Sequence, residues 1–125
     1  MEGKVLIVDD EAFIRLLLEQ TLEELEDQGV EVMTSDNGLD GLKIIQEEQP
    51  DLVFLDVMMP KMNGFDVCRT VKKDLGMKGV TIVLLTAKGQ EYDRQKGEES
   101  GADLYMTKPF DPDELLDLAE RVLTA

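Results

Sequence analysis

The chain is expected to fold as a doubly wound α/β sandwich, with five parallel strands in the order 2-1-3-4-5 and helices on both faces. Three features of the sequence lead there. Three short runs are apolar at every position, two further strand-like runs are mixed, and stretches with helical spacing separate all five. A strand apolar on both sides must be covered on both sides, as the inner strands of a parallel sheet are. Strand and helix alternate, so each connection is a right-handed crossover. The 125 residues have the length of a single domain, spanning 1–125, and can bury a core of their own.

Val5-Leu6-Ile7-Val8 forms the first strand and runs into Asp9 and Asp10. Ile14, Leu17, Leu18, Thr21, Leu22 and Leu25 then recur at helical spacing and give the first helix one apolar stripe. Val30-Glu31-Val32-Met33-Thr34 is a mixed, edge-type strand, and Leu39, Leu42 and Ile45 mark a helix that ends before Pro50. Leu52-Val53-Phe54-Leu55 is the third strand, ending at Asp56. Met58, Met59 and Met62 are expected to pack the loop beneath it. Phe65, Cys68, Val71 and Leu75 stripe the third helix, which makes Cys68 a core residue rather than a redox site. Ile82-Val83-Leu84-Leu85 is the fourth strand, followed by Thr86-Ala87. Segment 89–100 reads as a loosely anchored helix, with Tyr92 as its one large apolar residue and Gly97 weakening its interior. Asp103-Leu104-Tyr105-Met106-Thr107 is the second mixed strand, followed by Lys108-Pro109-Phe110. The last helix opens with Asp111-Pro112-Asp113-Glu114, an N-cap acid, proline in the first turn and glutamate at N3. Flavodoxin-like strand order puts the two mixed strands at the edges.

Composition excludes several functions. With 13 bases against 28 acids the net charge is −15, which disfavours direct binding to nucleic acid or to an anionic membrane. Apolar runs of four or five residues are too short to span a bilayer, and Met1-Glu2-Gly3-Lys4 does not lead into a signal peptide. A single cysteine forbids an internal disulfide and points to a reducing, cytoplasmic setting. With no histidine, the chain has neither a Ser–His–Asp triad nor a phosphohistidine of its own.

In parallel α/β sheets, ligands bind at the carboxyl ends of the strands. That edge collects Asp9, Asp10 and Glu11 after the first strand, Asp56 after the third, Thr86 after the fourth and Lys108 after the fifth. Carboxylates about 5 Å apart repel by roughly 3 kcal/mol per pair at an effective dielectric near 20. A hard divalent cation relieves that repulsion, and an all-oxygen site that keeps waters suits Mg²⁺. One carboxylate can then act as a nucleophile toward a phosphoryl group, with Thr and Lys stabilising charge on its oxygens.

These residues resemble the receiver domain of two-component response regulators along the chain from Val5 to about Leu123. The matching elements are Asp9-Asp10, Asp56 followed by Met58-Pro60 and Gly64, Thr86-Ala87, Gly101-Ala102-Asp103 and Lys108-Pro109-Phe110. The resemblance implies that Asp56 is the phosphoacceptor. It assigns Mg²⁺ to Asp10 and Asp56 directly, to Asp9 through water and to the Met58 backbone carbonyl. It puts Thr86 and Lys108 on the phosphoryl oxygens, makes the Lys108–Pro109 peptide cis, and pairs Thr86 with Tyr105 as the switch; the weak anchoring of 89–100, read from its residues, makes that segment the expected responding element. Met58 and Lys88 would flank the water that hydrolyses the phosphorylated form. The implied partners are a sensor histidine kinase or histidine phosphotransfer protein upstream, and downstream either a protein target or a C-terminal output domain. Such a domain catalyses only its own aspartyl phosphorylation and dephosphorylation, so it is not an enzyme in the usual sense.

Two departures bear on partners. Regulators of this family that dimerise on DNA usually carry a basic residue soon after the Lys-Pro-Phe motif, where this chain has Asp111-Pro112-Asp113-Glu114. Glu98 stands where an apolar residue is common. The alternative is a small Mg²⁺-dependent phosphohydrolase with an Asp nucleophile, of the haloacid-dehalogenase type. It needs Asp-x-Asp after the first strand, whereas this chain has Asp9-Asp10-Glu11-Ala12. A flavodoxin-like electron carrier would need a hydroxyl- and glycine-rich first loop in place of these acids.

Overall fold

The structure, a computed structural model, describes residues 1–87 and 91–125, without the side chains of 91–94. Along the chain run β1 (Lys4–Val8), α1 (Ala12–Asp27), β2 (Glu31–Ser35), α2 (Gly38–Glu48), β3 (Leu52–Asp56) and α3 (Gly64–Arg69) with a π-helical turn (Thr70–Asp74). They are followed by β4 (Thr81–Ala87), α4 (Glu91–Ser100), β5 (Leu104–Lys108) and α5 (Pro112–Thr124). Lys88, the first two residues of segment 89–100 and the Tyr92 side chain lie outside the described residues.

All strands pair in parallel in the order β2-β1-β3-β4-β5, the topology expected from the apolar runs. Successive side chains of a strand face opposite sides of a sheet, and the inner strands divide accordingly. Val5, Ile7, Leu52, Phe54, Val83 and Leu85 pack with Leu18, Leu22 and Leu25 of α1 and with Leu115 and Ala119 of α5. Leu6, Val8, Val53, Leu55, Ile82 and Leu84 pack with Ile45 of α2 and with Val67, Cys68 and Val71 of α3 and its π turn. Every one of these side chains is buried, so the apolar runs are spent on two cores rather than one. Cys68 is fully buried and burial pushes its thiol above the ordinary value, which leaves it unreactive.

Helix termini follow their capping residues. Asn37 accepts a hydrogen bond from the Asp40 N–H at 2.9 Å, Asn63 from the Asp66 N–H at 2.9 Å, and Asp111 from the Asp113 N–H at 2.9 Å.

Three readings of the sequence need correction. Leu75 does not complete the α3 stripe and is 44% exposed. Its N–H bonds to the Thr70 carbonyl five residues back, at 2.8 Å. That added residue turns the following side chains by about 100°, and Met77 takes the apolar position instead. Leu39, counted in the α2 stripe, lies outside the core. Met58 does not pack the loop: Met59 and Met62 turn inward while Met58 faces solvent.

The far end of the π turn is tied to the sheet. Lys72 Nζ lies 2.8 Å from Asp103 Oδ2, which also accepts the Ile82 N–H at 2.8 Å, and Lys72 donates further to the Val80 carbonyl. At the other end, α3 starts against the β3 terminus. A Cβ on Gly64 would stand 2.3 Å from the Asp56 carbonyl oxygen, a backbone atom with no freedom to withdraw. We therefore expect Gly64→Ala to destabilise the fold by about 1–3 kcal/mol in urea unfolding. Gly79→Ala, where a Cβ meets nothing within 4 Å, should change stability by no more than about 0.5 kcal/mol.

Candidate functional site

The two-residue period that divides the core also builds the site. Asp9 follows Val5 and Ile7, Asp56 follows Leu52 and Phe54, and Lys108 follows Met106, all on the face covered by α1 and α5. Because the strands are parallel and in register, these polar residues appear at one edge just where the apolar rows end. Lys108 crosses that edge from β5. Its Nζ lies 2.8 Å from Asp9 Oδ2, 3.2 Å from Asp56 Oδ1 and 3.7 Å from Glu11 Oε1.

Asp9 is fully buried and every polar group it has is engaged. Its N–H donates to the Ser35 carbonyl at 3.1 Å, Oδ1 accepts the Glu11 N–H at 2.9 Å, Oδ2 takes Lys108, and its carbonyl accepts Arg15 Nη1 at 2.8 Å. Asp56 is buried on the neighbouring strand, whereas Asp10 and Glu11 are exposed at the rim. Carboxylate oxygens from Asp9, Asp10, Glu11 and Asp56 all come within 4.8 Å of one another.

The electrostatics show an uncompensated charge. Burial, reinforced by the charge of Asp9, raises the Asp56 carboxyl from 3.8 to about 6, although Lys108 pulls the other way. Burial alone would lower the Lys108 ammonium, but its hydrogen bond to Asp9 and the charges of Asp56 and Asp9 outweigh that and raise it. One ammonium is therefore too little for these carboxylates. A small, hard cation with oxygen ligands fits this donor set.

Thr86 and Tyr105 lie on the other face of the sheet. Leu84 pairs with Tyr105 in the β4–β5 ladder, Tyr105 packs in the core beside α3, and Thr86 is two residues beyond Leu84. Asp56 is in register with Leu85, so Thr86 stands one step further toward the carboxyl edge. Met58 follows β3 at the rim, and the Lys108–Pro109 peptide is cis.

One site residue escaped the sequence reading. Glu11, placed at this edge with Asp9 and Asp10, joins the carboxylate group, but Arg15, which holds the Asp9 carbonyl from one turn along α1, was not foreseen. A signal for Arg15 existed: the first turn of a helix favours acids, so an arginine there needs a local acceptor.

The comparisons with known proteins agree with this geometry. Residues 5–120 match the family described as the response regulator receiver domain. A probable transcriptional regulator, ycf27, from Porphyra purpurea is 49% identical over 112 residues, 90% of this chain and 44% of that protein. The alkaline phosphatase synthesis transcriptional regulatory protein PhoP of Bacillus subtilis is 45% identical over 115 residues, 92% of this chain and 46% of that protein. Among solved structures, the chemotaxis response regulator CheY4 of Vibrio cholerae superposes with a TM-score of 0.84 at 35% identity, covering 98% of this chain and 99% of that one. The family match over most of the chain, together with this site, places it among signalling receiver domains. The chain belongs to the response regulator receiver domain family of two-component signalling, and the phosphohydrolase alternative is not favoured. It spans less than half the length of the curated relatives it matches. Among the described residues no helix is long and apolar enough to cross a membrane.

Because the folded protein holds the Asp56 proton above its ordinary 3.8, at about 6, the group costs stability above that higher pH, and the cost fades as pH falls toward the lower. With metal chelated, Asp56→Asn should stabilise the fold by about 1–2 kcal/mol at pH ~7.5 and by much less below pH ~5. An equal gain at both pH values would show that carboxylate repulsion is not the cause.

Proposed function

We propose that this domain accepts one phosphoryl group on Asp56 from a phosphohistidine, borne by a sensor histidine kinase or a histidine phosphotransfer protein. The observation that carries the reading is the buried Asp56 carboxylate held 3.2 Å from the Lys108 ammonium beside three further acids, Asp9, Asp10 and Glu11. An Asp56 oxygen attacks phosphorus as the bond from phosphorus to one nitrogen of the donor's imidazole, protonated at its other nitrogen, breaks, leaving an acyl phosphate and a neutral imidazole. Lys108 shifts its contact from the carboxylate to a phosphoryl oxygen, and the Thr86 hydroxyl donates to another. Asp10, Asp56 and the Met58 backbone carbonyl, with Asp9 through water, would hold Mg²⁺, and the bound ion would neutralise charge between the acids and the incoming phosphoryl group. The Thr86 movement opens space on the α4 side that Tyr105 fills, which carries the event to the surface.

Phe13 and Leu16 on α1 and Met58 after β3 are exposed apolar side chains beside the site, a surface on which a donor protein can dock. A cytoplasmic location follows from this reading, because the donors and the reducing setting are cytoplasmic. The response passes to a protein target or to an output domain in the longer protein, rather than through direct contact of this acidic domain with nucleic acid.

Incubation with acetyl phosphate and Mg²⁺ should add the mass of one phosphoryl group to the wild-type chain and nothing to Asp56→Asn. Omitting Mg²⁺ should abolish the addition, and Lys108→Ala should keep part of it while losing the conformational response. Addition to Asp56→Ala at the wild-type level would remove Asp56 from its role.

Millimolar Mg²⁺ should raise the Tm of the wild type and raise that of Asp56→Asn by less, since both changes relieve the same repulsion. A wild-type Tm indifferent to Mg²⁺ would speak against the site.

A further inference from the structure

A tyrosine ring lying between an edge strand and a helix needs space that an ordinary helix surface does not offer. Tyr105 packs on the face of the sheet that carries Leu84, the core that Val67 and Cys68 of α3 close, and its hydroxyl oxygen is buried. Over it stands Gly97, a buried residue in the interior of α4. A Cβ on Gly97 would lie 2.3 Å from Tyr105 Cε1, 3.0 Å from Tyr105 Oη and 3.0 Å from Leu84 Cδ1. Carbon atoms in contact sit roughly 3.5–4.0 Å apart, so the first of these distances excludes every residue but glycine while the ring stays in place. Among residues other than proline, glycine is the worst helix former, so it weakens α4 at the one place where the tyrosine occupies the missing side chain's volume.

Relief of such a clash has few routes. Leu84 Cδ1 is the end of a flexible side chain and can yield by a few tenths of an ångström. The tyrosine ring is rigid and leaves only by rotating about χ1, toward the open side of β5, the sheet's edge strand. The geometry points to Gly97 as a notch in α4 that admits the Tyr105 ring, and so as a positioning residue for the response of Tyr105: any side chain at position 97 expels the ring from beneath the helix. This rests on the reading of Thr86 and Tyr105 as the responding pair, and adds to it the element that makes the tucked pose of Tyr105 available.

The chain has two tyrosines and no tryptophan, so a Tyr92→Phe background leaves Tyr105 as the sole tyrosine fluorophore. In that background acrylamide should quench Tyr105 weakly, and Gly97→Ala should raise the quenching constant several-fold, toward that of a free tyrosine amide. Stability gives an independent readout. In a Tyr105→Ala background the clash partner is gone, and Gly97→Ala should raise Tm by about 3–5 °C through helix propensity alone. With Tyr105 present the same substitution should lower Tm, and failure to fold there while the Gly97→Ala/Tyr105→Ala protein folds supports the notch equally. Unchanged quenching, or an equal rise in Tm in both backgrounds, overturns it. Neither arm uses a phosphoryl donor or metal, so absence of acetyl phosphate labelling in the wild type would remove the phosphoacceptor reading and leave the notch standing.

Discussion

Four carboxylates crowd the carboxyl edge of the sheet, and the ammonium of Lys108 is what lets the two buried ones share it. Lys108 reaches from β5 across to the residues that end β1 and β3, and so ties strands that are not sequence neighbours. The compensation is incomplete. Asp56 stays protonated to about pH 6 because burial and Asp9 outweigh the lysine. A fold seeking only stability would replace one of these acids with a neutral residue. Keeping them leaves a site whose free energy drops when positive charge arrives, and that deficit gives a cation, or a rearrangement of Lys108, leverage over the rest of the molecule.

The deficit exists because of period and register together. Parallel strands in register bring their last residues to one edge, and the two-residue alternation decides which of those residues share a face. Asp9, Asp56 and Lys108 fall on the α1/α5 face, while Tyr105 and, by the same count, Thr86 fall on the face of α2, α3 and α4. Charge chemistry and ring packing are therefore segregated by one sheet. A shift of register by one residue in β5 would exchange Lys108 and Tyr105 and destroy both arrangements at once.

What was legible in the sequence is what periodicity and strand ends encode. The runs at Val5, Leu52 and Ile82 are apolar at every position because both faces are covered, so strand identity, order and the residues at each carboxyl end could be read directly. Legibility fails where local geometry breaks the period. The π turn reassigns Leu75 to solvent and Met77 to the core, a change of phase with no marker in composition. Met58 looks like its neighbours Met59 and Met62, yet the turn after β3 points it outward. Arg15 enters the site from a helix turn rather than from a strand end, so the rule that located Asp9, Glu11 and Lys108 passed over it. Gly97 was read as a weakness of its helix. Only the position of the Tyr105 ring beneath it gives that weakness a reason.

In the proposed response, coupling between the two faces would need no long pathway, because adjacent residues of β4 belong to opposite faces. Leu85 pairs with Asp56, and the next residue, Thr86, lies beyond it toward the edge where Lys108 is held. The Thr86 hydroxyl thus stands near the carboxyl end of an inner strand, on the face that holds Tyr105. On that second face the ring has two kinds of neighbour: the packed Leu84 below and a helix with a missing side chain above. Packed interiors tolerate discrete rearrangements better than gradual deformation, so a rigid ring held against Gly97 would leave that place for a distinct second packing rather than by degrees. In the proposed response, an electrostatic change on one face would become a choice between two packings on the other, and a differential interaction of ~1–3 kcal/mol would suffice to move such an equilibrium by about 5- to 150-fold.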